Sequence, residues 1–154
     1  MIANQQNAPL NILLADDDKD DRFFFATALQ EISIATDINT VNDGEQLMDY
    51  LTKNAENIPD ILFLDLNMPR KNGFECLSEL KGSIKLKAIY VIMFSTSYPR
   101  DVNYEQDMIK RLYKMGAQDY IRKPGDFAQL KQVIHLAITK AIEIKSHNGQ
   151  EKIL

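Results

Sequence analysis

Short apolar runs and longer amphipathic stretches alternate along this chain. The first run, Asn11–Ala15 (NILLA), ends at three aspartates. Phe24, Ala28 and Ile32 then recur every four residues, with Phe25 and Leu29 beside them, which is the spacing of one helix face. Asp18, Asp20 and Asp21 near its start suit the positive end of a helix dipole. A weaker strand is predicted over Thr36–Val41, then a turn at Asn42-Asp43-Gly44 and a second helix marked by Leu47 and Leu51. Pro59 precedes Ile61–Asp65 (ILFLD), apolar on both faces as in the middle of a parallel sheet. A loop covers Met68-Pro69 to Gly73. Phe74, Leu77 and Leu80 open a third helix that stops near Gly82. Ile89–Phe94 (IYVIMF) is a second fully apolar strand, ending at Ser95-Thr96-Ser97. A fourth helix takes part of Arg100–Met115 and stops at Gly116. Asp119–Arg122 is a short strand before Lys123-Pro124. Phe127, Leu130, Ile134, Ala137, Ile138 and Ala141 mark a long last helix, with a frayed tail expected from Ser146.

Strand and helix thus alternate five times. Such alternation predicts an α/β fold with a parallel sheet and helices on both faces. Right-handed crossovers then make the sheet open and doubly wound. Ligands of such sheets bind at the carboxyl ends of the strands, at the switch in strand order.

Those ends carry the chemistry. The first strand ends in Asp16-Asp17-Asp18, the third in Asp65, the fourth in Ser95-Thr96 and the fifth in Lys123. No single residue is unusual, but their joint placement is. Crowded carboxylates raise one another's pKa unless a proton or a hard dication relieves them. Carboxylate and carbonyl oxygens with no histidine or cysteine nearby favour magnesium over zinc. Magnesium commonly accompanies phosphate, so phosphoryl transfer is the natural reaction, with a carboxylate nucleophile giving an aspartyl-phosphate.

Composition narrows the field further. The chain has 154 residues, enough for one domain with a real core. Its net charge of −4 argues against non-specific binding to nucleic acid or anionic membrane. Its one cysteine, Cys76, excludes an internal disulfide and reads as a buried small hydrophobe, consistent with a reducing cytoplasm. Met1–Pro9 lacks the basic start and apolar run of a signal peptide, and no stretch approaches the length of a membrane span. His135 and His147 have no ligand-spaced partners and read as surface residues. Of Phe23, Phe24 and Phe25, most of the surface is expected in the core, with one ring at the surface.

The motifs in order are ILLADDD followed by KDDRFFF, then ILFLDLNMPRKNGFE, then VIMFSTS, then DYIRKP. In this order they resemble the four signatures of the receiver domain of two-component response regulators, over roughly Asn11–Ile144. The resemblance implies a flavodoxin-like sheet of strand order 2-1-3-4-5, with a flexible extension at 1–9, the receiver domain at 10–145 and a tail at 146–154. It implies a stand-alone, regulatory phosphoacceptor that works in the cytoplasm with Mg2+. A sensor histidine kinase or histidine phosphotransfer protein would supply the phosphate, and a further protein would read the switch.

Position by position, Asp65 matches the phosphoacceptor. Asp16 and Asp17 match the acidic pair, Asp17 binding the metal directly and Asp16 largely through water. Asn67 matches the position whose backbone carbonyl completes the metal shell. Ser95 matches the switch hydroxyl, in preference to Thr96, and Lys123 the lysine that pairs with phosphate. Tyr120 matches the aromatic that turns inward, and Gly73 the glycine closing the loop. Pro124 follows Lys123 as in the family, where that bond is often cis. Two departures stand out: Ser95 replaces the commoner threonine, and Ser95 to Lys123 is about six residues longer than usual, the extra residues falling within Tyr98–Ile109.

Two other readings compete. A haloacid-dehalogenase-type phosphatase also uses an aspartyl nucleophile and magnesium, but it needs a second aspartate where this chain has Asn67, and its nucleophile lies on the first strand. A pseudo-receiver would have lost the acceptor or metal acids, and this chain keeps them.

Overall fold

The computed structural model describes residues 8–96 and 102–153. Five strands alternate with five helices: β1 Leu10–Ala15, α1 Lys19–Glu31, β2 Thr36–Val41, α2 Gly44–Lys53, β3 Ile61–Leu64, α3 Gly73–Lys81, β4 Tyr90–Ser95, α4 Val102–Lys114, β5 Asp119–Arg122 and α5 Phe127–Ile153. All pairs are parallel and the order is β2-β1-β3-β4-β5. This is the doubly wound sheet that the alternation predicts. The order reverses between β1 and β3, which opens the crevice where such folds bind ligands.

The three inner strands are buried along most or all of their length, and their two faces feed two cores. Leu13, Ala15, Leu62, Leu64, Val91 and Met93 face α2, α3 and α4. Ile12, Leu14, Ile61, Phe63, Ile92 and Phe94 face α1 and α5. The period of two is the pleat itself. Phe25, Phe63 and Phe94 meet edge to face in the second layer.

Local chemistry sets the helix ends. Asp18 caps α1 by accepting from the Asp21 N–H, and Asp43 caps α2 by accepting from the Gln46 N–H. Asn72 and Glu75 form a reciprocal capping box on α3. Gly116 ends α4 with φ +111°. The Ala117 N–H donates to the Leu112 carbonyl and the Gly116 N–H to the Tyr113 carbonyl, the paired bonds of a Schellman turn.

Some details differ from the sequence reading. In α1 it is Phe25, Ala28 and Leu29 that are buried, while Phe23 is 65% and Phe24 47% exposed. Two rings of the phenylalanine run, not one, therefore face solvent, because α1 packs along one face only. The last helix continues through Ser146 to Ile153. Among the described residues no peptide bond is cis, Lys123–Pro124 included. Residues 98–101 of the expected insertion, and 1–7 of the expected extension, lie outside the described residues. No described helix is long and apolar enough to cross a membrane.

Candidate functional site

Three strand ends are carried one residue further by the sheet ladder. The Asp16 N–H donates to the Val41 carbonyl, the Asp65 N–H to the Ala15 carbonyl and the Lys123 N–H to the Ser95 carbonyl. Backbone pairing thus fixes Asp16 and Asp65 side by side on adjacent strands. Lys123 starts two strands away, on the far side of β4. Its stem crosses the Phe94 ring, with Nζ 5.6 Å from the ring centroid. There Nζ lies 2.8 Å from Asp16 Oδ2, 3.1 Å from Asp21 Oδ2 and 3.3 Å from Asp65 Oδ2.

Burial makes this cluster costly. Asp16 and Asp65 are buried, while Asp17 is exposed at the rim. Removal from water pushes the Asp65 carboxyl up to about 6, and the Asp16 charge adds to the rise while Lys123 opposes it. Burial also raises Asp16, against the hydrogen bond from Lys123. Burial works against the Lys123 ammonium, but the carboxylates around it outweigh that and hold its pKa above the ordinary lysine value.

Asp16, Asp17 and Asp65 each bring a carboxylate oxygen within 4.8 Å of the others. An all-oxygen, acidic donor set at this span suits a hard dication such as Mg2+. Asn67 follows at the exposed start of the loop, its N–H donating to Asp65 Oδ1 at 3.3 Å. Gly73 closes that loop against Asp65: a Cβ there would lie 2.4 Å from the Asp65 carbonyl oxygen and 2.8 Å from Leu66 Cα. Only a residue without a side chain lets α3 start so close to β3.

Ser95 is fully buried and its hydroxyl has no hydrogen-bond partner, whereas Thr96 is exposed. By strand alternation Ser95 falls on the face of Val91 and Met93, the layer of α3 and α4. Tyr120, half-buried, packs into that same layer.

The structure therefore brings Asp16, Asp17, Asp65 and Lys123 together, sets Asn67 beside them and leaves Tyr120 in the neighbouring core. The Asp18 side chain caps α1, while its N–H donates to Asp16 Oδ1 at 2.9 Å. Sequence reasoning missed Asp21, reading it as a dipole partner of α1. One signal was available: Asp21 lies four residues before the buried Phe25, so it shares the inward face of α1. His135 and His147 are exposed. Cys76 is buried, and burial pushes its thiol up to about 12, so it is inert at neutral pH.

The family pattern described as "Response regulator receiver domain" matches residues 12–135. This chain belongs to that family. Among its relatives, the response regulator Rcp1 of Synechocystis sp. is 29% identical over 137 residues, covering 86% of this chain and 89% of Rcp1. The probable methanogenesis regulatory protein FilR2 of Methanothrix harundinacea is 30% identical over 129 residues, covering 82% of this chain and 79% of FilR2. The crystal structure of the phosphorylated cyanobacterial phytochrome response regulator RcpA matches this receiver with a TM-score of 0.71 at 34% identity, covering 82% of this chain and 89% of that one. The Mn2+-bound form of Rcp1 matches with a TM-score of 0.70 at 28% identity, covering 82% of this chain and 89% of that one. The receiver is thus a regulatory module of two-component signalling, as the motifs imply.

Proposed function

We propose that this receiver takes a phosphoryl group onto the Asp65 carboxylate with Mg2+, and that the aspartyl-phosphate shifts the protein between two conformations. The observation that carries this reading is the contact of Lys123 with both Asp16 and Asp65 at the sheet's carboxyl edge. It is the one place in the described residues where a buried carboxylate stands between an ammonium and a cluster of carboxylate oxygens able to hold a dication.

Asp16, Asp17 and Asp65, with the Asn67 carbonyl, would hold the metal. When bound, Mg2+ would neutralise charge on the transferring phosphoryl group. The chain's own residues do the rest. Asp65 Oδ attacks the phosphorus of the donor, a bond forms between them, and the donor's leaving group departs with the old bond's electron pair. The Lys123 ammonium stabilises the phosphoryl oxygens. The unpartnered Ser95 hydroxyl is the donor that the new oxygens would draw toward the site. Its withdrawal from the α4 layer would leave space that Tyr120 could fill, which links the charge change to a surface. That the solved relatives include a phosphorylated RcpA and a Mn2+-bound Rcp1 supports the same reading.

A sensor histidine kinase or a histidine phosphotransfer protein is the proposed donor, in the cytoplasm, and a protein partner the proposed reader. Intact-mass measurement after exposure to acetyl phosphate and Mg2+ tests the core of this proposal. One added phosphoryl group, lost in Asp65→Asn, is the expected result. Equal labelling of that variant would move the acceptor elsewhere.

A further inference from the structure

A lysine ammonium has three N–H donors. Here three carboxylates surround it, at 2.8 Å from Asp16, 3.1 Å from Asp21 and 3.3 Å from Asp65. Asp16 and Asp65 come from strand ends, where the metal and the acceptor are expected. Asp21 comes from the first turn of α1, outside the acidic triplet and outside the oxygen cluster that could hold a cation. It therefore has no part in the metal or acceptor roles given above.

We infer that Asp21 is a positioning residue, which holds the Lys123 ammonium so that its remaining N–H is aimed at Asp65, where the phosphoryl group would arrive. This rests on the proposed function and adds a residue to it. Lys123 reaches the site on a flexible four-carbon stem from two strands away. One anchor, Asp16, would leave Nζ free to pivot about a single bond. A second anchor on a different element removes that freedom, and two fixed points define where the third donor points.

Asp21 is suited to orientation more than to raw attraction. Its side chain is 39% exposed, so solvent screens its charge. It still points into the site, because Asp18 caps α1 through the Asp21 N–H and so fixes the first helical turn. Asp20, next to it on the same turn, is exposed and makes no contact with Lys123. On the outer side, Asp21 and Lys123 also line a cavity of about 280 Å³ with Phe24, Phe94, Pro124 and Phe127. Without Asp21 the ammonium has room there to swing away from Asp65.

The test compares Asp21→Ala, Asp21→Asn and the control Asp20→Ala in the full chain. The first readout is the Lys123 ammonium signal in ¹⁵N-lysine NMR spectra of the unphosphorylated protein. An anchored ammonium exchanges slowly enough to be seen. The second is the rate of labelling by acetyl phosphate with Mg2+, followed by intact mass. Asp21→Ala is expected to erase the ammonium signal and slow labelling about tenfold, since small misplacements are costly in positioned reactions. Asp21→Asn keeps an acceptor oxygen and is expected to recover most of both, which a loss of folding or of simple charge would not. Asp20→Ala is expected to match the parent protein in both. Parent-like ammonium signal and rate in Asp21→Ala would overturn the inference. So would faster labelling in both Asp21 variants, which would make Asp21 a competitor for the lysine. Absence of labelling in the parent protein would instead overturn the phosphoacceptor reading, and the NMR readout would still decide the tether.

Discussion

Lys123 Nζ lies 3.3 Å from Asp65 Oδ2, although the two residues are 58 positions apart in the chain. The contact spans β3 to β5, and the β4 strand between supplies the Phe94 ring over which the lysine passes. A charged group placed in this way answers to the electrostatics of its neighbours.

Asp65 should cost the fold stability when it is ionised. Its carboxyl is raised from 3.8 to about 6, so between those values the folded state holds a proton that the unfolded chain has released. Stability in the presence of a chelator should therefore be full below about pH 4, fall as pH rises through about 6, and level off above. Asp65→Asn removes the ionisation and should be more stable at pH 7.5 by about 1–3 kcal/mol. Urea unfolding of both proteins across this range, with EDTA, measures the difference. A gap independent of pH would show that burial of Asp65 is not its cause.

Removal of Lys123 leaves Asp16 and Asp65 buried beside each other without their cation. Breaking such a pair costs about 3–5 kcal/mol when the remaining charge stays buried and ionised. Protonation of Asp65 offsets part of this, so Lys123→Ala should lose about 1–3 kcal/mol at neutral pH in chelator. Millimolar Mg2+ should restore more stability to this variant than to the parent, because the dication takes over the lysine's neutralising role. Thermal melts with and without Mg2+ decide it, and equal gains in both proteins would argue against a shared site.

Ser95 carries a buried hydroxyl without a partner. Such a group is a cost in the resting state. Ser95→Ala should therefore leave resting stability unchanged or raise it by up to about 1 kcal/mol. In the same variant, the chemical-shift changes that beryllofluoride and Mg2+ produce around Tyr120 and α4 should shrink. Retention of the full pattern of shifts would mean that the hydroxyl is not the link between site and surface.

Gly73 admits no side chain without moving backbone, with the Asp65 carbonyl oxygen only 2.4 Å from the position of a Cβ. Gly73→Ala should destabilise the fold by about 2–4 kcal/mol, in the range of overpacking with backbone displacement. It should also slow labelling, since the atoms displaced belong to Asp65, the proposed acceptor. Denaturant midpoints and labelling rates together check this, and a variant as stable as the parent would show that α3 can shift freely.

The hydrophobic pattern alone determined the sequence of elements. Short apolar runs marked β1, β3 and β4, and Asp18 and Gly116 announced a helix start and a helix end, because these signals arise from neighbours in the chain. The residue types at four strand ends likewise disclosed an acidic cluster and the family. Tertiary structure decided the rest. It chose which of three phenylalanines faces the core, because packing selects one side of α1. It made Asp16 and Asp65 reluctant to ionise, because burial is a property of the whole fold. It brought Asp21 to Lys123 across 102 residues, because only the docking of α1 against α5 and the Phe63–Phe94 face of the sheet places the two side chains together.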